Sequence, residues 1–114
     1  MATVDECREA LEKVASRISG MSPQDREKHL VDRTISFRVT DLGVEFRTRL
    51  GAHGAGPISE AEPGEAPAQV TFSAASDDLV ALADERLHLA RALAAGRLKV
   101  RASIFDLLRL RSVL

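Results

Sequence analysis

The chain has 114 residues and a formal net charge of -1, with 45% hydrophobic and 29% charged residues. This composition suits one globular domain spanning 1–114, excludes a disordered chain, and gives no global field that would draw it to nucleic acid or a membrane. No run of about eighteen apolar residues is present to insert in a bilayer, and no charged-then-apolar start signals export. Cys7 is the sole cysteine, which excludes an internal disulfide and leads us to expect a cytoplasmic location. With three scattered histidines beside it, no metal pattern forms. The four Phe have no Tyr or Trp for company, so stacking platforms with polar handles are missing. The excess of Ala, and of Arg over Lys, reads as the codon bias of a GC-rich bacterial genome.

Residues 3–30 read as helical. Thr3 and Glu6 have capping-box spacing, and Val4, Cys7, Leu11, Val14 and Ile18 recur three and four apart on one face. Gly20 follows as a C-cap, and Ser22, Pro23 and Asp25 predict a second, short polar helix ending near Leu30. The period then changes to two. Thr34–Val39 and Val44–Leu50 form a hairpin about Asp41-Leu42-Gly43, with Ile35, Phe37 and Val39, then Val44, Phe46, Thr48 and Leu50, on the apolar face. Within the Gly/Pro/Ala/Glu-rich stretch 51–69 a short strand fits around Ile58–Ala61, and Gln69–Ala74 is a clearer one.

Ser76 is expected to cap the next helix, with Asp77 and Asp78 in its first turn. Leu87–Ala95 is a further helical stretch ending at Gly96, and Arg97–Ala102 alternates again as a fifth strand. The final helix occupies 103–114, started by Ser103 with Asp106 as a second capping box. The order predicts a two-layer α+β domain: a five-stranded, mostly antiparallel but mixed sheet with helices packed on one face. The long crossover between the fourth and fifth strands allows the parallel pair to lie there.

Asp32-Arg33-Thr34-Ile35-Ser36-Phe37 with Thr40-Asp41, the segment Pro63–Phe72, the helix start Ser76-Asp77-Asp78-Leu79, and Ala92–Ala102 with its Gly-Arg-Leu-Lys-Val core together resemble the sterol carrier protein 2 family. The resemblance runs from about Leu30 to the end. The sequence departs from the family pattern at Gln69, where the family has Asp, and at Ala102, where it has Gly. Many relatives carry a further apolar tail over the tunnel mouth where this chain stops at Leu114, so tunnel closure does not carry over. The resemblance implies a five-stranded sheet, helices on one face, and an apolar tunnel between them for a fatty acid, fatty acyl-CoA or sterol-like lipid. It brings no catalytic residue and no cofactor.

The candidate lining residues are Phe37, Phe46, Phe72, Leu79, Leu82, Leu93, Leu98, Val100, Ile104 and Leu108, with Ile35, Val44 and Val70 on the same sheet face. Periodicity alone makes these plain core; the resemblance makes them tunnel walls. In the last helix, apolar residues spread past a single stripe, which points to burial on two sides, as a lid, a dimer face or a core helix. Arg97, Lys99 and Arg101 share a strand face with Arg38, Arg47 and Arg49, and would meet a lipid headgroup or an acidic partner, or else form a solvated face. Nucleic acid is disfavoured, since no aromatic interleaves these cations. His29, His53 and His88 have no Ser, Cys or carboxylate at a motif spacing, and Gly51, Gly54 and Gly56 form no phosphate loop, so catalysis is not expected. The reading is a non-catalytic lipid carrier. The alternative is a ligand-free assembly module, a homodimer through its C-terminal helix, serving a larger enzyme or pathway.

Overall fold

The computed structural model describes residues 1–20, 22, 24, 32–51, 54–62 and 64–113, the side chains of 109–113 excepted. The polar helix expected over 22–30 therefore falls almost wholly outside the described residues, as do His29 and His53.

Helix α1 spans Val4–Ser19. Its capping box is closed in both directions: the Glu6 amide donates to Thr3 Oγ1 and the Thr3 amide to Glu6 Oε1, each at 3.1 Å. Gly20 ends it, in ordinary right-handed geometry. The β strands are β1 (Arg33–Val39), β2 (Val44–Gly51), β3 (Gly54–Ala55), β4 (Ser59–Glu60), β5 (Val70–Ala74) and β6 (Leu98–Arg101). Helices α2 (Ser76–Ala83) and α3 (Leu89–Ala94) fill the crossover from β5 to β6, and α4 (Ile104–Val113) follows.

The sheet order is β3-β2-β1-β5-β6, with β4 also paired to β2. The mixed α+β architecture is as expected, with two short strands in the 51–69 stretch rather than one. The parallel pair is elsewhere than anticipated. It joins β1 to β5, while β5 and β6, on either side of the helical crossover, run antiparallel. A crossover of two helices is long enough to return the chain in either direction. The seam is set at the β5 entrance, where the Thr34 amide donates to Gln69 Oε1 at 3.0 Å and the Gln69 amide to Thr34 Oγ1 at 2.9 Å. Gln69 thus supplies an acceptor where the family pattern has Asp.

Two glycines are demanded by geometry. Gly43 has φ +66° in the hairpin turn. Gly54 has φ +95°, and a Cβ there would fall 2.7 Å from Ser19 Oγ and 3.2 Å from Ser19 Cα, because β3 passes against the end of α1.

One end of the interlayer space is filled. Cys7 and Ala10 of α1 and Leu79 and Ala83 of α2 form a cluster with Val39, Ala74 and Leu98 of the sheet. Small residues at Ala10 and Ala83 let the two helices approach closely. Cys7 is fully buried, and burial, with the nearby carboxylates Asp41, Glu6 and Asp77, pushes its thiol up. Helix α2 starts differently from the expectation. Ala75 is its N-cap and makes no side-chain cap bond. Asp41 of the hairpin turn does that work from outside: the Ser76 amide donates to Asp41 Oδ1 at 2.8 Å and Ser76 Oγ to Asp41 Oδ2 at 2.6 Å, while the Ala2 amide donates to Ser76 Oγ at 3.0 Å. These bonds, the Ser76 hydroxyl foremost, hold the Asp41 carboxyl below the usual range despite some desolvation.

Candidate functional site: an apolar cleft between sheet and helices

Alternation along each strand and the observed registers arrange the inward side chains in rows across the sheet. Val44, Val39, Ala74 and Leu98 form one row at the filled end. Phe46, Phe37, Phe72 and Val100 form the next. Phe37 and Phe72 stack with centroids 6.2 Å apart and rings 17° from parallel. The third row is Thr48, Ile35 and Val70. Along β1, burial declines in this direction: Val39 is 1% exposed, Phe37 9%, and Ile35 only half-buried.

Where packing loosens, a cleft of about 1120 Å³ opens between the sheet and the helices. Its floor is the aromatic row and the third row, with Leu50 beside them. Its roof is the apolar stripe of α1 (Leu11, Val14 and Ile18) together with Leu79 and Leu82 of α2 and Leu87 and Leu89 after it. Leu98 and Val100 close one side, and Ala102 and Asp106 lie at the end reached by α4. Polar groups on the cleft are few. Arg33 donates from Nε to both Asp106 carboxylate oxygens at 3.2 Å, and the Arg17 guanidinium donates to the Ala83 carbonyl. Glu85, His88, Thr48 and Arg47 also border it.

Seven of the ten anticipated lining residues therefore come together on the cleft: Phe37, Phe46, Phe72, Leu79, Leu82, Leu98 and Val100. The other three do not. Leu93 is half-buried against the filled core, and Ile104 and Leu108 of α4 are 67% and 57% exposed. In α4 the Asp106 carboxylate is the inward group, bound to Arg33, and Ile104 and Leu108 lie on the opposite side of the helix from it. Among the described side chains of this helix, Asp106 alone is not exposed. The α1 stripe is the part of the wall that residue-by-residue reasoning missed. Its helical period was plain, but the period does not say whether a stripe covers packed core or open space.

Arg97, Lys99 and Arg101 stand clear of the cleft. Lys99 and Arg101 alternate with the cleft-facing Leu98 and Val100, so they point outward. Arg97 donates from Nε to Asp78 at 3.0 Å and ties β6 to α2. On the hairpin, Arg38 pairs with Glu45 at 2.7 Å, and Arg47 with Glu45 at 3.4 Å and Glu65 at 3.5 Å. Burial alone would push Glu45 up, but these guanidinium partners hold it below the usual range. Much of that face is therefore internally neutralised. Among the described residues no cluster of His, Cys, Asp and Glu could hold a metal ion.

The fold is shared with solved structures. Sterol Carrier Protein 2 Like 2 from Aedes aegypti superimposes with a TM-score of 0.66 at 15% identity, covering 96% of this chain and 97% of its own. Sterol Carrier Protein-2 from the same organism, solved in complex with the C16 fatty acid palmitate, gives 0.63 at 19% identity, covering 99% and 96%. A double mutant of the sec-alkyl sulfatase PisA1 gives 0.67 at 19% identity, with 99% of this chain matching only 16% of that enzyme. At these identities the likeness is one of fold. No curated protein matches the chain. The model of the SCP-2 sterol transfer family matches residues 8–114, and with nearly the whole sequence inside that match, the chain belongs to this family.

Proposed function

We propose that the protein is a non-catalytic carrier that buries the hydrocarbon of a lipid, a fatty acyl chain or a sterol-like molecule, in the cleft between sheet and helices. The observation that carries this reading is the cleft itself. Its 1120 Å³ exceeds the roughly 300–1,000 Å³ of ordinary small-ligand sites, and its floor is hydrocarbon and unsubstituted rings apart from Thr48. Apolar walls of this extent are costly to leave against water. A bound chain or partial closure removes that cost. Each methylene buried there gains about 0.8 kcal/mol, so a long acyl chain binds without any reaction. A relative of the same fold has been solved with palmitate, which supports an acyl ligand here. Arg33, half-buried at the α4 end, is one cation a ligand carboxylate would meet, in competition with Asp106.

The test is native mass spectrometry with lipid extraction of the purified protein, followed by titration with a fluorescent fatty acid. Co-purified lipid, or saturable uptake at one site per chain, is the expected result. A ligand-free protein that takes up no fatty acid overturns the reading. The second reading, a ligand-free assembly module, draws on the exposed apolar side of α4 and on the occurrence of this fold as 16% of a larger enzyme.

A further inference from the structure

Strand β6 is the last strand on its side of the sheet. Among the described residues, no strand lies beyond it, and residues 98–101 make no backbone bond to any turn or loop. In a ladder, alternate residues of an edge strand aim their N–H and C=O groups away from the neighbouring strand, so β6 offers an unfilled row of donors and acceptors. The other side of the sheet differs, because there β3 and β4, of two residues each, already pair with β2.

The side chains of β6 select what fills that row. On the outer face, Lys99 and Arg101 are exposed, and neither has an ion pair among the described residues. Their lateral neighbours on β5 are the neutral Ser73 and Thr71, and next on β1 come Arg38 and Ser36. The first carboxylate in these rows is Glu45 on β2, three strands away and already paired with Arg38 and Arg47. On the cleft face, Leu98 is buried, while Val100, where the aromatic row stops, is only half-buried.

We propose that β6 is a docking edge for an extended acidic segment of a partner protein, which adds a strand to the sheet with its carboxylates beside Lys99 and Arg101 and an alternate apolar side chain beside Val100. The backbone ladder holds the segment, and the alternation sets its register. Charge decides against a second copy of this chain. Pairing two β6 edges would set Lys99 and Arg101 of one copy against those of the other, which like charges on adjacent strands oppose. The cations that keep this edge from pairing with itself attract an acidic strand. An anion without a peptide backbone would satisfy the cations but would not extend the ladder. The proposal stands whether or not the cleft carries lipid.

The test titrates the full chain with a fluorescein-labelled peptide, Glu-Val-Glu-Val-Glu, read by fluorescence anisotropy, and with the same peptide N-methylated at every residue. Saturable binding of the unmethylated peptide is expected, with slower hydrogen exchange at amides within 98–101. The N-methylated peptide keeps the charges but cannot donate to the ladder, and should bind at least about tenfold more weakly. Lys99→Glu with Arg101→Glu should weaken binding by about tenfold or more and favour Lys-Val-Lys-Val-Lys instead. Both positions are exposed, so circular dichroism should match the parent. No binding of the acidic peptide, equal binding of its N-methylated form, or binding unchanged in the double variant overturns the proposal. So does a stable dimer of the parent chain in sedimentation equilibrium that the acidic peptide fails to dissolve.

Discussion

Val100 offers a direct test of the cleft. It is half-buried on β6, opposite Phe72, at the end of the aromatic row. The chain has no Trp and no Tyr, so Val100→Trp also installs a single indole as reporter. In a packed core such an enlargement strains its neighbours and costs about 1–3 kcal/mol. In the cleft the ring has room. It buries roughly 100 Å² more apolar surface than valine, which at about 25 cal/mol per Å² is worth about 2.5 kcal/mol if fully covered, and about half that where one side stays open. Equilibrium unfolding in urea, followed by the new fluorescence and by circular dichroism, should show stability unchanged or raised by about 1 kcal/mol. The indole should displace about three or four methylenes of a bound chain, at about 0.8 kcal/mol each, so fatty-acid affinity should drop about 100-fold. A loss of more than about 3 kcal/mol of stability would show that this part of the interlayer space is already packed. Unchanged affinity in a stable variant would refute the placement of the ligand over the aromatic row.

Other substitutions probe the frame. Leu79→Ala, at a 2% exposed residue that meets both filled core and cleft, should cost about 2–5 kcal/mol in urea unfolding. Asp106→Asn should loosen α4 by removing a charged partner of the half-buried Arg33, worth about 1.5–3 kcal/mol, and proteolysis should then cut within 103–113 sooner. Leu108→Arg should leave fatty-acid uptake and stability within about 0.5 kcal/mol of the parent, because the residue lies outside the cleft. Asp41 has a lowered folded-state pKa, so its stabilising contribution is complete above the usual carboxylate range and is lost as pH falls through the lowered value. Asp41→Asn should therefore flatten the acid limb of the stability curve, read as Tm against pH.

What the sequence revealed and what it hid divide along one line. Features set by neighbours in the chain were legible: the Thr3–Glu6 box, the alternation of Phe37, Phe46 and Phe72 onto one face, and the turn at Gly43. Features set by distant partners were not. Period two assigns a residue to a face but not a strand to its neighbour, so the β1–β5 pairing, fastened by Thr34 and Gln69, could not be read from either strand alone. Ser76 has the chemistry of a cap, yet the cap comes from Asp41, 35 residues earlier. The inward partner of α4 opposite Ile104 and Leu108 is Arg33, 73 residues before Asp106. Arg97 had a charge to read, but not its commitment to Asp78.

The parallel seam has a kinetic consequence. The β1–β2 hairpin closes across a four-residue turn, Thr40–Gly43, and the chain returns from β5 to β6 through α2 and α3. Joining β1 to β5 requires closing a loop of about 35 residues, and by contact-order reasoning that non-local step comes late and sets the folding rate. Phe37 and Phe72 lie on opposite sides of the seam. Until it closes, the two rings belong to separate surfaces and no cleft floor exists. On this reasoning, a nascent chain gains its binding space only at the last assembly step, and lesions at Thr34 or Gln69 should slow folding more than they alter the finished cleft.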